Sequence, residues 1–139
     1  MNKMTLKFSS LSINESFSRS VISCFILPLK PSIAELTDIK TAVSEVVTNA
    51  IVHGYEKGEG VITMEAKLDK NKVHIKISDK GVGIKDLDKA MEPFFTTKPE
   101  EERSGMGFTI IKTFMENVKV KSSLGKGTIV SMTKTINSK

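Results

Sequence analysis

Near the N-terminus Met4, Leu6 and Phe8 alternate with Lys3, Thr5, Lys7 and Ser9, the period-two pattern of a strand with one buried face. The period then changes: Phe17, Val21, Cys24 and Phe25 recur at helical spacing behind Ser12 and Glu15, a capping-box pair, and this helix is expected to stop near Pro28 and Pro31. Ser32 and Glu35 repeat the capping signature and open a longer helix whose apolar surface comprises Leu36, Ile39, Val43, Val46, Val47, Ala50 and Ile51. Gly54 is placed to end it as a left-handed cap. Ile62, Met64, Ala66 and Leu68 alternate, as do Val73, Ile75 and Ile77 beyond a short polar connection, so the two runs predict an antiparallel hairpin. His74 falls on the opposite face from its neighbours, as an ordinary strand histidine.

Beyond the hairpin, residues 86–91 suit a short helix, and residues 92–104 form a charged, proline-bearing stretch without periodicity, the profile of a functional lid. A helix is predicted to start at Gly107 and carry Phe108, Ile111, Phe114 and Met115. Val118 and Val120 open a strand, Gly125-Lys126-Gly127 is a turn, and Ile129, Val130 and Met132 mark the last strand. Hairpin-connected strands with three helices able to cover one face imply an α/β two-layer sandwich with a mixed, mostly antiparallel sheet. The 139 residues, 39% of them hydrophobic, show no change of composition that would split them, so one domain over 1–139 is expected.

Composition narrows the class. A lone cysteine, Cys24, rules out an intrachain disulfide framework and suits a reducing, cytoplasmic setting; its place in an apolar helical run reads as a small buried hydrophobe. The longest apolar run, from Val21 to Leu29, falls well short of the roughly 20 residues needed to cross a bilayer, so no membrane association is expected. The net charge of +5 comes from scattered lysines with only Arg19 and Arg103 as arginines, and there is no Trp, which argues against direct nucleic-acid binding.

The candidate chemistry lies where polar residues interrupt these patterns. Glu45, Asn49 and His53 fall at i, i+4 and i+8 on the long helix and form one polar stripe. Asp79 closes a strand and is followed by Gly81 and Gly83. A carboxylate there can accept a hydrogen bond from an exocyclic amine such as adenine's, and glycines let the backbone approach a flat base. Gly105-Met106-Gly107 precedes a helix whose free N–H groups would face a phosphate. Singly, these are a solvated helix face and ordinary glycine turns; in this order they suggest a nucleotide pocket.

Neither common nucleotide signature fits. The third glycine of a dinucleotide fingerprint is replaced by Ile110, and Gly125-Lys126-Gly127-Thr128 lacks the spacing of a Walker loop. Asn49 offers a neutral oxygen suited to Mg²⁺ beside phosphates, and Glu45, one turn away, is placed to accept a proton from an attacking hydroxyl or water. Two distant histidines and one cysteine do not make a zinc set.

Glu45-x-x-x-Asn49-Ala50, Asp79-x-Gly81-x-Gly83 and Gly105-x-Gly107 resemble the three nucleotide-binding boxes of the GHKL superfamily, which includes gyrase and the histidine kinases. Three strings, Glu45 to Tyr55, Pro93-Phe94-Phe95-Thr96-Thr97-Lys98-Pro99 and Arg103-Ser104-Gly105-Met106-Gly107-Phe108, look like the anti-sigma factor serine kinases, and especially their sporulation branch. The resemblance implies a cytoplasmic homodimer that inhibits a sigma F-like sigma factor and uses Mg-ATP to phosphorylate a serine of an anti-anti-sigma partner. Carried over to this chain, Glu45 is the catalytic base and Asn49 the Mg²⁺ ligand. Asp79, Gly81 and Gly83 hold adenine, and Thr128 touches the adenine-site water. Thr97, Lys98, Arg103, Ser104, Gly105, Met106, Gly107 and Phe108 line the phosphates and lid. Arg19 and Arg103 are the partner contacts. The alternatives are a nucleotide-switched binding module with little transfer activity and an anti-sigma kinase of the related general-stress pathway. A histidine kinase domain would need a phosphoacceptor histidine on a dimerisation helix, a place neither His53 nor His74 occupies.

Overall fold

A computed structural model describes residues 1–56, 58–84 and 107–137. The elements are β1 (Asn2–Ser9), α1 (Ile13–Phe25), a 3₁₀ turn (Leu27–Leu29), α2 (Ile33–Asn49) continued by a π turn (Ala50–Gly54), β2 (Val61–Asp69), β3 (Lys72–Asp79), α3 (Gly107–Phe114), β4 (Glu116–Ser123) and β5 (Gly127–Thr135). The strands form one five-stranded sheet in the order β1-β2-β3-β5-β4. Every described pairing is antiparallel, within the mostly antiparallel two-layer sandwich that the alternating patterns predict. The expected short helix at 86–91 and lid at 92–104 lie outside the described residues.

The core lies on one side of the sheet. Phe8, Ile62, Met64, Ala66, Leu68, Val73, Ile75, Ile77, Val130 and Met132 point toward the helices, which contribute Ile22, Ile39, Val43, Val47 and Ile111 to the same cluster. Ile22, Ile39, Val43 and Ile111 are fully buried, each worth roughly 1.5–3 kcal/mol relative to exposure. α2 is the central helix, packed against α1 on one side and α3 on the other. This arrangement explains why its apolar surface is so wide.

The two capping signatures have different fates. At Ser32, extended at φ −68° and ψ 165°, the hydroxyl accepts from the Glu35 N–H at 3.0 Å and the Glu35 carboxylate accepts from the Ser32 N–H at 2.9 Å. At Ser12 the expected box is absent. Its backbone is already helical at φ −54° and ψ −34°, which turns the hydroxyl away from the first free N–H groups, and Glu15 instead pairs with Arg19. The entry to α1 is held by the Asn14 amide donating to the Ser9 carbonyl at 2.9 Å.

Two further expectations are corrected. Cys24 is exposed, because Ser18 and Ile22 take the inward face of α1 and Cys24 falls on the outward one. Gly54 is not a left-handed cap, since the helix does not stop in the α form. The Tyr55 N–H reaches back five residues to the Ala50 carbonyl at 2.8 Å, the bond of a π turn, and Tyr55 closes it at φ −96°. His53 lies within this wider turn, beyond the α-helical stretch that carries Glu45 and Asn49.

Candidate nucleotide site

The C-terminal end of α2 meets the end of β3, and glycines make the meeting possible. The Val82 N–H donates to the Gly54 carbonyl at 2.8 Å, fixing the loop after β3 onto the π turn. A Cβ on Gly81 would lie 2.1 Å from that carbonyl oxygen, so no other residue fits there without displacing backbone. A Cβ on Gly54 would lie 3.0 Å from Oδ1 of Asp79. Gly54 therefore serves the site by leaving room beside a carboxylate.

Asp79 is the chemical centre of this cluster. It is 8% exposed, and its Oδ1 accepts from the Gly81 N–H at 2.8 Å. Burial pushes its carboxyl above the ordinary value of 3.8, while the backbone N–H groups of Gly81 and Thr128 pull the other way. A buried carboxylate is costly unless its acceptor capacity is used. With one oxygen held by the loop and space kept open by Gly54, Asp79 suits the exocyclic amine of an adenine.

Thr128 stands directly opposite Asp79 in the β3–β5 pairing. Its hydroxyl lies 2.8 Å from that of Ser122, which also accepts from the Ile84 N–H at 2.7 Å and lies 3.1 Å from the Gly127 carbonyl. Gly83, at φ +80°, lies so close to β4 that a Cβ would stand 2.1 Å from the Ser123 carbonyl oxygen. The loop after β3 is thus fixed on one side by the π turn and on the other by β4.

Tyr55 and Ser122 are positioning residues that the sequence did not single out. The Tyr55 hydroxyl donates to the Val61 carbonyl and accepts from the Lys80 N–H, both at 2.7 Å, joining the helix end, β2 and the residue after Asp79. Its ring fills the space over Gly60, where a Cβ would lie 2.3 Å from the ring. Tyr55 does stand at the end of the Glu45 to Tyr55 string, which was its only signal. Ser122 reads as an ordinary polar strand position.

Glu45 and Asn49 both lie on α2, partly buried and one turn apart, upstream of the π turn. Gly107 begins α3 and Phe108 packs against the core cluster. Thr97, Lys98, Arg103, Ser104, Gly105 and Met106 lie outside the described residues. Arg19 is on α1, paired along its own helix with Glu15. No group of three or more metal-ligating side chains occurs among the described residues, so Asn49 fits Mg²⁺ only as one ligand to an ion that arrives with phosphates. No helix among the described residues is long and apolar enough to cross a membrane.

Comparison with known proteins places this geometry in a family. Residues 18–134 match the model of the histidine kinase-like ATPase domain. The chain is 56% identical over 137 residues to the anti-sigma F factor of Thermoanaerobacter sp. (strain X514), covering 99% of this chain and 96% of that protein. It is 50% identical over 133 residues to the anti-sigma F factor of Clostridium acetobutylicum, covering 96% and 93%. In fold it resembles the RsbU and RsbW domains of Rv1364c from Mycobacterium tuberculosis, with a TM-score of 0.69 at 16% identity over 98% of this chain and 32% of that one. The catalytic domain of histidine kinase ThkA gives 0.54 at 17% identity over 98% and 97%. By its matched domain and its near full-length identity to those relatives, the chain belongs to the GHKL-type histidine kinase-like ATPase family, in the branch of the anti-sigma F factors.

Proposed function

We propose that the protein is a cytoplasmic anti-sigma factor that binds and inhibits a sigma F-like sporulation sigma factor and, as a protein-serine kinase, transfers phosphate from Mg-ATP to a serine of an anti-anti-sigma partner. In this reading residues 1–139 form one ATP-binding kinase domain that works as a homodimer. The observation that carries the nucleotide part is the buried Asp79 carboxylate, held by Gly81 and given room by Gly54. The identity to anti-sigma F factors supports the partner part.

Mg-ATP, when bound, supplies an electrophilic γ-phosphoryl group whose charge the metal offsets. Asp79 accepts from the adenine amine, with Gly81 and Gly83 giving the backbone its close approach and Thr128 holding the adenine-site water. Asn49 offers its side-chain oxygen to Mg²⁺. Glu45 takes the proton of the partner's serine hydroxyl as that oxygen bonds to the γ-phosphorus and the bond to the β-phosphate oxygen breaks, leaving phosphoserine and ADP. Thr97, Lys98, Arg103, Ser104, Gly105, Met106, Gly107 and Phe108 line the phosphates, and Arg19 and Arg103 contact the partners.

The test is incubation of the pure protein with γ-labelled ATP and an anti-anti-sigma factor. Label on a partner serine is expected, with a loss of about 100-fold or more in Glu45→Ala, the usual scale for a general base. Partner affinity that changes with nucleotide while no phosphoprotein forms would replace the kinase by a nucleotide-switched binding module. Labelling only of a general-stress antagonist would move the protein to that pathway.

A further inference from the structure

The face of the sheet turned away from the helices carries an open basin that runs up to Tyr55, Asp79 and Ser122 at the edge of the candidate nucleotide site. It has a volume of about 840 Å³ and is bordered by Lys7, Lys80, Lys121 and Lys126, with Val61 and Ile129 among its lining residues. Its floor follows one row of the sheet: Lys7 pairs with Thr63, Thr63 with Ser78, Ser78 with Ile129, and Ile129 with Lys121. A lysine thus stands at each edge strand, with two hydroxyls and an isoleucine between them. The four strand intervals, at about 4.8 Å each, put the two lysines roughly 19 Å apart.

Exposed sheet faces are ordinarily polar, and scattered lysines there would mean solvation alone. Three features set this end apart. The first is that the row from Lys7 to Lys121 holds no carboxylate, whereas acids accompany the lysines farther along the face. Glu65 pairs with Lys76 at 3.6 Å in mid-sheet, and Asp69 and Glu116 lie toward the far end, where Glu116 holds Thr135. The second is that the cavity's one carboxylate, Asp79, is buried and bonded to the Gly81 N–H. Among the described residues none of the four lysines forms an ion pair. The third is apolar exposure between the cations: Val61 is 52% exposed and Ile129 38%.

We propose that this basin is a docking site for an extended acidic segment of a protein partner, laid across the strands with carboxylates at both ends and an apolar side chain over Val61 and Ile129. At about 3.4 Å per residue the row accommodates a separation of about five or six residues between the two acidic groups. Cations at both edges select charge and spacing, and the apolar floor between them favours a peptide over a bare polyanion. The basin borders the candidate nucleotide site at Tyr55, Asp79 and Ser122, but the inference stands on the lysines and the apolar floor of the outer face and needs no bound nucleotide.

The experiment is fluorescence-polarisation titration of the full chain at low salt with a short labelled peptide bearing glutamates at both ends and serines and one leucine between them. The double variant Lys7→Glu/Lys121→Glu is expected to weaken binding about five-fold or more, whereas Lys3→Glu/Lys67→Glu, the same charge change at the other end of the face, changes it less than about two-fold. Matched circular dichroism and thermal unfolding of the two variants exclude a folding effect. The proposal is overturned by absence of saturable binding, by equal loss in both variants, or by a single-stranded oligonucleotide of equal charge that binds more tightly and displaces the peptide.

Discussion

The carbonyl oxygen of Gly54 occupies the space that a side chain on Gly81 would need, 2.1 Å from the position of a Cβ there. The same oxygen accepts from the Val82 N–H, so the close approach and the hydrogen bond that fixes the loop have one cause. Gly81→Ala is therefore expected to destabilise the fold by about 1–3 kcal/mol, the cost of overpacking against backbone, and to abolish measurable ATP binding. Gly125→Ala is the contrast. Its φ of +77° is strained for alanine but nothing lies within 4 Å, so about 1–2 kcal/mol of stability is lost with ATP affinity retained. Denaturant unfolding and titration calorimetry on both variants check this.

Asp79 gives a prediction whose sign depends on pH. Its carboxyl is raised in the folded chain, chiefly by burial, so it contributes stability below its unfolded value of 3.8 and this is lost as pH rises through the folded value. Asp79→Asn removes the charge that burial penalises. The difference in Tm between Asp79→Asn and the parent should therefore move in favour of the variant from about pH 4 to pH 7, while ATP affinity falls about ten-fold or more because the amide presents a donor to the adenine amine. A Tm difference that is flat with pH would contradict the burial argument.

Tyr55→Phe keeps the ring over Gly60 and deletes the hydroxyl that joins Val61 to Lys80. Roughly 1–2 kcal/mol of stability should go with the two bonds. The residue after Asp79 then loses its tether, and nucleotide affinity should drop several-fold. Preserved affinity alongside reduced stability would make Tyr55 a purely structural residue.

Ser32→Ala and Ser12→Ala have the same sequence context and different geometry. The first breaks a reciprocal cap on α2 and should cost about 1 kcal/mol. The second removes a hydroxyl that makes no cap bond and should stay within about 0.5 kcal/mol of the parent. Chemical denaturation of the two proteins separates them.

These contrasts mark what the sequence makes legible. The alternation in β1, β2 and β3 was readable because one face of each is buried, and the wide apolar surface of α2 was readable because helices pack on both sides of it. Asp79 with Gly81 and Gly83 was readable because a carboxylate among glycines at a strand end is chemically unusual. The π turn was not, since its residues Ala50 to Gly54 fit an α-helix equally well and nothing in their order marks the wider turn. Cys24 misled for a related reason: an apolar run does not say which side of a helix meets the sheet. The row from Lys7 to Lys121 depends on the pairing of all five strands, which no local pattern encodes.

The slack coil at 50–54 also has a mechanical meaning. Upstream of it the long helix is a regular spring, latched at its start by Ser32 and Glu35 and wedged between two neighbours; downstream the pitch loosens just where the Asp79 loop hangs from its last carbonyl. A rod wound this way turns its final carbonyl out to the loop instead of along its own axis, so the seat around Asp79 is hung from the helix end while the oily scaffold beneath stays regular.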